Sequence, residues 1–302
     1  MSTSYHVAVI GLGAMGMGAA RSCLRAGLTT YGIDLSEQAR SQLQQAGAAA
    51  VMADARPLAE TLDAVLLLVV NAAQVRRILF GEEELARHLK PGTAIMVSST
   101  IAAEEASTLA AELAQLGLPM LDAPVSGGAI KADAGEMTVM AAGSDAAFDK
   151  LAPVLDAVSG KLYRVGSEPG QGSTVKIIHQ LLAGVHIAVA AEAMALASRA
   201  GVSLDLMYDV VTHAAGNSWM FENRMPRVLT GDYQARSAVD IFVKDLTLVA
   251  DTAKALRFPL PLASTALNMF LSASNAGHGQ EDDSAVIKTF SGITLPGQEE
   301  RP

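Results

Sequence analysis

Two kinds of apolar run alternate through the first half of the chain. Short unbroken runs stand at 6–10 (HVAVI), 64–70 (AVLLLVV), 94–98 (AIMVS) and 137–141 (MTVMA). Such runs fit strands covered on both faces. Shorter ones at 30–33, 119–121 and 161–165 complete the strand set. Between them, 15–25, 74–80, 103–116 and the stretch after Ser144 carry helical spacing, with Gly27 and Lys90-Pro91-Gly92 as stops and turns. Strands alternating with helices predict an α/β fold, a Rossmann-type doubly wound parallel sheet.

The pattern changes at Glu168-Pro169-Gly170. From there to Gly201 the chain reads GQGSTVKIIHQLLAGVHIAVAAEAMALASRAG, with no proline and one weak helix former, Gly184. It predicts a helix over about 174–200, roughly 40 Å long. Apolar nearly all round, it should be buried on most sides. A membrane span is disfavoured by His179, Gln180, His186 and Glu192. Beyond Gly201 no buried-strand pattern recurs. Helices are expected over 203–214, 237–256, 261–274 and 284–290, with a break at Gly216-Asn217-Ser218 and a disordered tail from Pro296. Trp219 reads as core or interface, with pocket lining beside Asn217 as the alternative. Two domains are therefore expected, a dinucleotide-binding domain over 1–168 and an all-α domain over 169–302, joined by the long helix.

Composition narrows the function. At 302 residues the chain exceeds the usual size of one core. A formal charge of −9 and the lack of any basic run argue against nucleic acid as a partner. Cys23 is the one cysteine, which favours a reducing cytoplasm. MSTSYHVAVIG shows no export signal. The six histidines lack HxxxH or HExxH spacing, so no metal is expected. Apolar helical faces suggest a homo-oligomer, a dimer or tetramer.

Candidate chemistry starts at GLGAMG, residues 11–16, set between a strand and a helix. Gly11 allows the tight turn, Gly13 lets backbone approach a diphosphate, and Gly16 lets helix and strand pack closely. Leu12, Ala14 and Met15 supply the rest of the loop and the first helical N–H groups. Asp34 ends the next strand 18 residues after Gly16, placed to accept from ribose hydroxyls and to repel a 2′-phosphate. Leu35 follows where an NADP site would more comfortably carry a base, so NAD is the expected cofactor. Asn71 and Thr100 end later strands at the ligand-binding edge, although either could be a simple helix cap. Ser126-Gly127-Gly128 offers a hydroxyl and unhindered N–H groups, a candidate nest for a carboxylate or an ordinary turn. Lys176 falls in the first turn of the expected long helix, where the dipole disfavours a cation. It is either a proton-transfer group or a lysine that snorkels to solvent.

Taken together, GLGAMG, DAPVSGG with its downstream AxxG, and GQGSTVKIIHQ resemble the β-hydroxyacid dehydrogenase family over nearly the whole chain. That resemblance implies cofactor contacts from 11–16, Asp34, Thr100 and Lys244. It implies a substrate carboxylate held by Ser126, Gly127 and Gly128, and Lys176 as catalytic acid/base. Without it, Lys244-Asp245 reads as a solvated charge pair. The family often carries Asn-Asn or Asn-Gln three and four residues after the lysine. Here His179 and Gln180 stand there, the histidine resembling 6-phosphogluconate dehydrogenase. They are candidate contacts to the hydroxyls of a polar substrate. The expected activity is NAD-dependent oxidation of a small sugar acid. Alternatives are a hydroxyisobutyrate dehydrogenase, a semialdehyde or glyoxylate reductase, and a non-catalytic dinucleotide-binding protein.

Overall fold

The computed structural model describes residues 4–82 and 84–296. The chain divides into two compact units, Met1–Lys176 and Ile177–Pro302.

The first unit is built on a nine-stranded sheet. Its elements run β1 (His6–Ile10), α1 (Ala14–Arg25), β2 (Thr29–Ile33), α2 (Glu37–Gln45), β3 (Ala50–Met52), β4 (Ala64–Leu67), α3 (Ala72–Phe80), α4 (Leu85–His88), β5 (Ala94–Val97), α5 (Ala103–Gln115), β6 (Met120–Asp122), β7 (Val125–Ser126), α6 (Gly128–Ala134), β8 (Met137–Ala142), α7 (Asp145–Val158) and β9 (Ser159–Gly166). The strand order is β3-β2-β1-β4-β5-β6-β8-β7, with β9 on β8. The first six in that order are parallel. β8 runs antiparallel to β6, so the sheet is parallel through its first six strands and mixed beyond them.

Apolar runs become central strands because alternate residues enter two cores. Val7, Val9, Ala64, Leu66, Ala94 and Met96 pack beneath α1 and α7. Ala8, Ile10, Val65, Leu67, Ile95 and Val97 pack beneath α3, α4 and α5. Each fully buried Val, Leu or Ile contributes ~1.5–3 kcal/mol, so these strands are fixed from both sides. The 64–70 run leaves the ladder after Leu67, because neighbouring β1 ends at Ile10 and β5 at Val97. Cys23 lies in the first core, its thiol pushed up to about 12 by burial.

The second unit is helical. α8 (Gln171–Arg199) crosses the divide, followed by α9 (Leu204–Thr212), α10 (Trp219–Thr230), α11 (Val239–Ala255), α12 (Pro261–Ala273), a π turn at Ser274–His278 and a 3₁₀ helix at Asp283–Thr289. Its core joins Ile187, Ala191 and Met194 of α8 to Phe221, Met225, Phe242, Leu246 and Phe270. Gly184 keeps its place in α8 for packing. A Cβ there would stand 2.9–3.1 Å from the Leu246 side chain.

Three expectations need correction here. α8 is not covered on most sides, for Ile178, Leu182, Val189 and Leu196 are more than half exposed. α10 was absent from the expected helices because Pro226 interrupts its pattern, yet the helix continues through it. Trp219, expected in core or interface, is 53% exposed at the start of α10, which rules out the core and leaves the interface open. By length and apolarity α8 could cross a bilayer; half of its most apolar window is buried in the protein. The tail expected from Pro296 lies, beyond that residue, outside the described residues.

Candidate active site

β1 delivers the chain into the glycine loop. Gly11 has φ +91°, and a Cβ there would stand 2.8 Å from the Leu68 carbonyl oxygen. A Cβ on Gly16 would fall 1.7 Å from the carbonyl oxygen of Gly11. The turn therefore closes only around glycine, and it aims the start of α1 at the carboxyl edge of the sheet. Gly13 is the N-cap of α1, with no side-chain bond across it and no acidic residue in the first turn. A Cβ on Gly13 would meet nothing within 4 Å. Open space beside an uncapped helix N-terminus fits a diphosphate held between Gly11, Leu12, Gly13, Ala14, Met15 and Gly16.

Asp34 follows β2 and is half-buried. Its Oδ2 accepts from the Leu12 N–H at 2.7 Å, and Oδ1 accepts from the Ser36 N–H at 2.7 Å. The carboxylate thus ties the end of β2 to the glycine loop, and each oxygen retains a lone pair for a ribose hydroxyl. Leu35 is 73% exposed. Arg40 belongs to no motif in the sequence. Its guanidinium donates to the carbonyls of Asp34 and Leu35, at 2.7 and 2.9 Å, and is held by them.

Asn71 is the N-cap of α3, its side chain accepting from the Gln74 N–H at 2.9 Å. The capping role left open by the sequence is therefore realised. Ser98, Ser99 and Thr100 end β5. The Ser98 hydroxyl donates to the Ala123 carbonyl at 2.9 Å, and Ser99 is buried. Gly11, Asp34, Asn71, Thr100 and Asp122 lie at or just past the carboxyl ends of five neighbouring parallel strands, where ligands of such sheets bind.

Asp122 links the next two motifs. It is fully buried at the end of β6, four residues before Ser126. Oδ2 accepts from the N–H groups of Gly170 and Ser173, both at 2.8 Å, and Oδ1 accepts from the Ser173 hydroxyl at 2.7 Å. Burial raises its pKa, and these donated hydrogen bonds oppose the rise without cancelling it. Gly172 comes so close that a Cβ would stand 2.4 Å from the Asp122 carbonyl oxygen. The start of α8 is thus clamped to the segment that carries Ser126, Gly127 and Gly128. A Cβ on Gly128 would meet nothing within 4 Å, leaving room beside the turn.

Lys176 stands three residues after Ser173 and is 6% exposed. The snorkelling alternative is excluded. So is its placement in the first turn: α8 begins at Gln171, which puts Lys176 in the second turn, after the residues that bond the Asp122 carboxylate. The negative charge at the helix start offsets the dipole that disfavours a lysine there.

His179, Gln180 and Lys244 belong to the second unit. His179 Nδ1 lies 3.0 Å from Gln180 Oε1. Gln180 Nε2 donates to Asp245 Oδ2 at 2.5 Å, and Lys244 Nζ lies 2.7 Å from Asp245 Oδ1. Lys244-Asp245 is therefore no solvated pair, since Asp245 is 2% exposed. Its i+1 spacing to Lys244 gave no hint of that burial; only the partner on α8 does.

Residues 6–166 match the NAD-binding domain of 6-phosphogluconate dehydrogenase. Residues 170–290 match the NAD-binding model of NADP-dependent 3-hydroxyisobutyrate dehydrogenase. The chain is 72% identical to an L-threonate dehydrogenase of Escherichia coli strain CFT073, over 98% of each protein. It is 68% identical to the L-threonate dehydrogenase of Pectobacterium atrosepticum, over 100% of this chain and 99% of that one. A crystal structure of a Salmonella typhimurium protein named 3-hydroxyisobutyrate dehydrogenase superposes with a TM-score of 0.92 at 70% identity, over 95% of this chain and 100% of that one.

Proposed function

Because the chain belongs to the β-hydroxyacid dehydrogenase family, we propose that it oxidises L-threonate to the 2-oxo acid with NAD as acceptor. NAD, when bound, supplies the acceptor for the hydride leaving the carbinol carbon. The glycine loop holds its diphosphate and Asp34 its adenosine ribose, with Leu35, Asn71, Thr100 and Lys244 as further contacts. Ser126, Gly127 and Gly128 hold the substrate carboxylate, which fixes the carbon to be oxidised. Lys176, neutral at the moment of reaction, takes the hydroxyl proton at Nζ. Burial supports that assignment, since a desolvated amine gives up its charge more readily than a solvated one.

One observation carries the choice of a hydroxyl-rich acid. His179 and Gln180 follow Lys176 by three and four residues on α8, and Gln180 is fixed by a buried carboxylate. Polar groups held at that distance from the base suit a substrate with hydroxyls beyond the reacting carbon. The relatives named for L-threonate support the same choice. The name of the Salmonella protein supports the second reading, 3-hydroxyisobutyrate. Initial rates of NADH formation with L-threonate, D-erythronate, D-glycerate and 3-hydroxyisobutyrate separate them. L-threonate should give the highest kcat/KM, and a preference for 3-hydroxyisobutyrate would overturn the proposal.

We assign residues 1–168 to dinucleotide binding and 169–302 to substrate contacts and self-association. The exposed apolar residues of α8 support a homo-oligomer, a dimer or tetramer. A cytoplasmic enzyme is proposed, in keeping with a lone buried cysteine.

A further inference from the structure

Asp245 is a fully buried carboxylate with no assigned part in the reaction. Its Oδ1 carries the ion pair with Lys244, and its Oδ2 faces the amide of Gln180. A carboxylate in an ion pair has only acceptor oxygens, so the Gln180 group facing it at 2.5 Å must be the NH₂. Gln180 Oε1 is then turned towards His179, and the ring nitrogen 3.0 Å away must donate to it. The orientation follows from the acceptor at the end of the chain, not from the assignment of amide atoms.

We infer that Asp245, through Gln180, holds His179 in its Nδ1–H tautomer and so makes Nε2 a hydrogen-bond acceptor. An isolated neutral imidazole side chain favours the opposite, Nε2–H form, so the tautomer is imposed by the fold. Asp245 is thus a positioning residue that acts without touching substrate. Resting on the sugar-acid reading above, the consequence is that His179 accepts from a substrate hydroxyl and rejects a methyl group at the same place. A bare asparagine, common at this position in the family, presents either polarity; this histidine presents one.

The test is a two-bond ¹H–¹⁵N correlation spectrum of the full chain with ¹⁵N-labelled histidine. With six histidines in the chain, a His179→Gln sample identifies the ring in question. In the wild type at neutral pH, Nε2 should show the pyridine-type shift and Nδ1 the pyrrole-type shift. Gln180→Met should move the ring to the Nε2–H form, and Asp245→Asn should give a mixture of both forms. In parallel, Gln180→Met should narrow the kcat/KM ratio of L-threonate over 3-hydroxyisobutyrate about tenfold, the loss of one neutral hydrogen bond. A wild-type ring in the Nε2–H or doubly protonated form would overturn the inference, as would Nδ1–H persisting in Gln180→Met. An Asp245→Asn spectrum identical to wild type would remove Asp245 from it. The expected spectra together with a wild-type preference for 3-hydroxyisobutyrate would sink the substrate proposal while leaving the tautomer established.

Discussion

Replacing Asp122 with alanine removes the acceptor that starts α8. Three donors lose their partner in a buried site: the N–H groups of Gly170 and Ser173 and the Ser173 hydroxyl. Hydrogen bonds to a charged acceptor contribute ~1.5–3 kcal/mol each, and a stranded buried donor costs ~1–3 kcal/mol. The three share one carboxylate and are not additive, so Asp122→Ala should cost ~3–5 kcal/mol. Asp122→Asn keeps one carbonyl oxygen for the two N–H groups, and the Ser173 hydroxyl can rotate to accept from its amide. It should cost only ~1–2 kcal/mol, and Ser173→Ala about 1 kcal/mol. Denaturant unfolding followed by far-UV circular dichroism measures the series. The pH dependence carries a sign. The folded pKa of Asp122 is raised, so its contribution is fully present below the unfolded value and is lost as pH rises through the folded value. The wild type should therefore gain stability relative to Asp122→Asn on acidification towards about pH 4. Because Ser173 lies three residues before Lys176, Asp122→Ala should also lower kcat about tenfold in molecules still folded. An Asp122→Ala variant within ~0.5 kcal/mol of wild type would refute the clamp.

Two further outcomes follow from single contacts. Asp34 is held by the Leu12 N–H of the glycine loop on one oxygen and by the Ser36 N–H on the other, and its charge meets any 2′-phosphate, so NAD should be used at least about tenfold better than NADP by kcat/KM; equal use of both would remove that role. In the second unit, Asp283 is fully buried against Arg224, with nitrogen–oxygen distances of 2.7 and 3.0 Å; Arg224→Ala should cost ~3–5 kcal/mol by leaving that carboxyl unpaired, while Arg224→Met with Asp283→Leu should recover most of it in thermal unfolding.

What could be read from the sequence was local. GLGAMG between a strand and a helix, with Asp34 at the next strand's end, predicts the glycine turn from spacing alone, and the structure keeps each of those residues at one sheet edge. The DAPVSGG motif was visible as a turn, but its first residue was given no role. Asp122 acquires one from Gly170 and Ser173, some fifty positions away, and no short-range pattern records that pairing. The same applies to Asp245, whose partner Gln180 lies on another helix, and to Arg224, on a helix hidden by Pro226. For Lys176 the residues alone left a proton-transfer group and a snorkelling lysine both open. Only the three added residues of α8 and the carboxylate in front of them show why a buried lysine is tolerated there. The apolar face of α8 erred the other way, because apolarity reports what must be covered and not which chain covers it.

We propose that buried Lys176 moves the proton. The most direct test is the rate of NADH formation with saturating L-threonate in Lys176→Ala, with NAD affinity measured on the same sample by fluorescence. A fall in kcat by a factor on the order of 10²–10⁴ with NAD binding within about twofold of wild type is the expected result. An alanine variant that turns over at near the wild-type rate, with the same pH profile, would contradict the account and place the acid/base chemistry on another group.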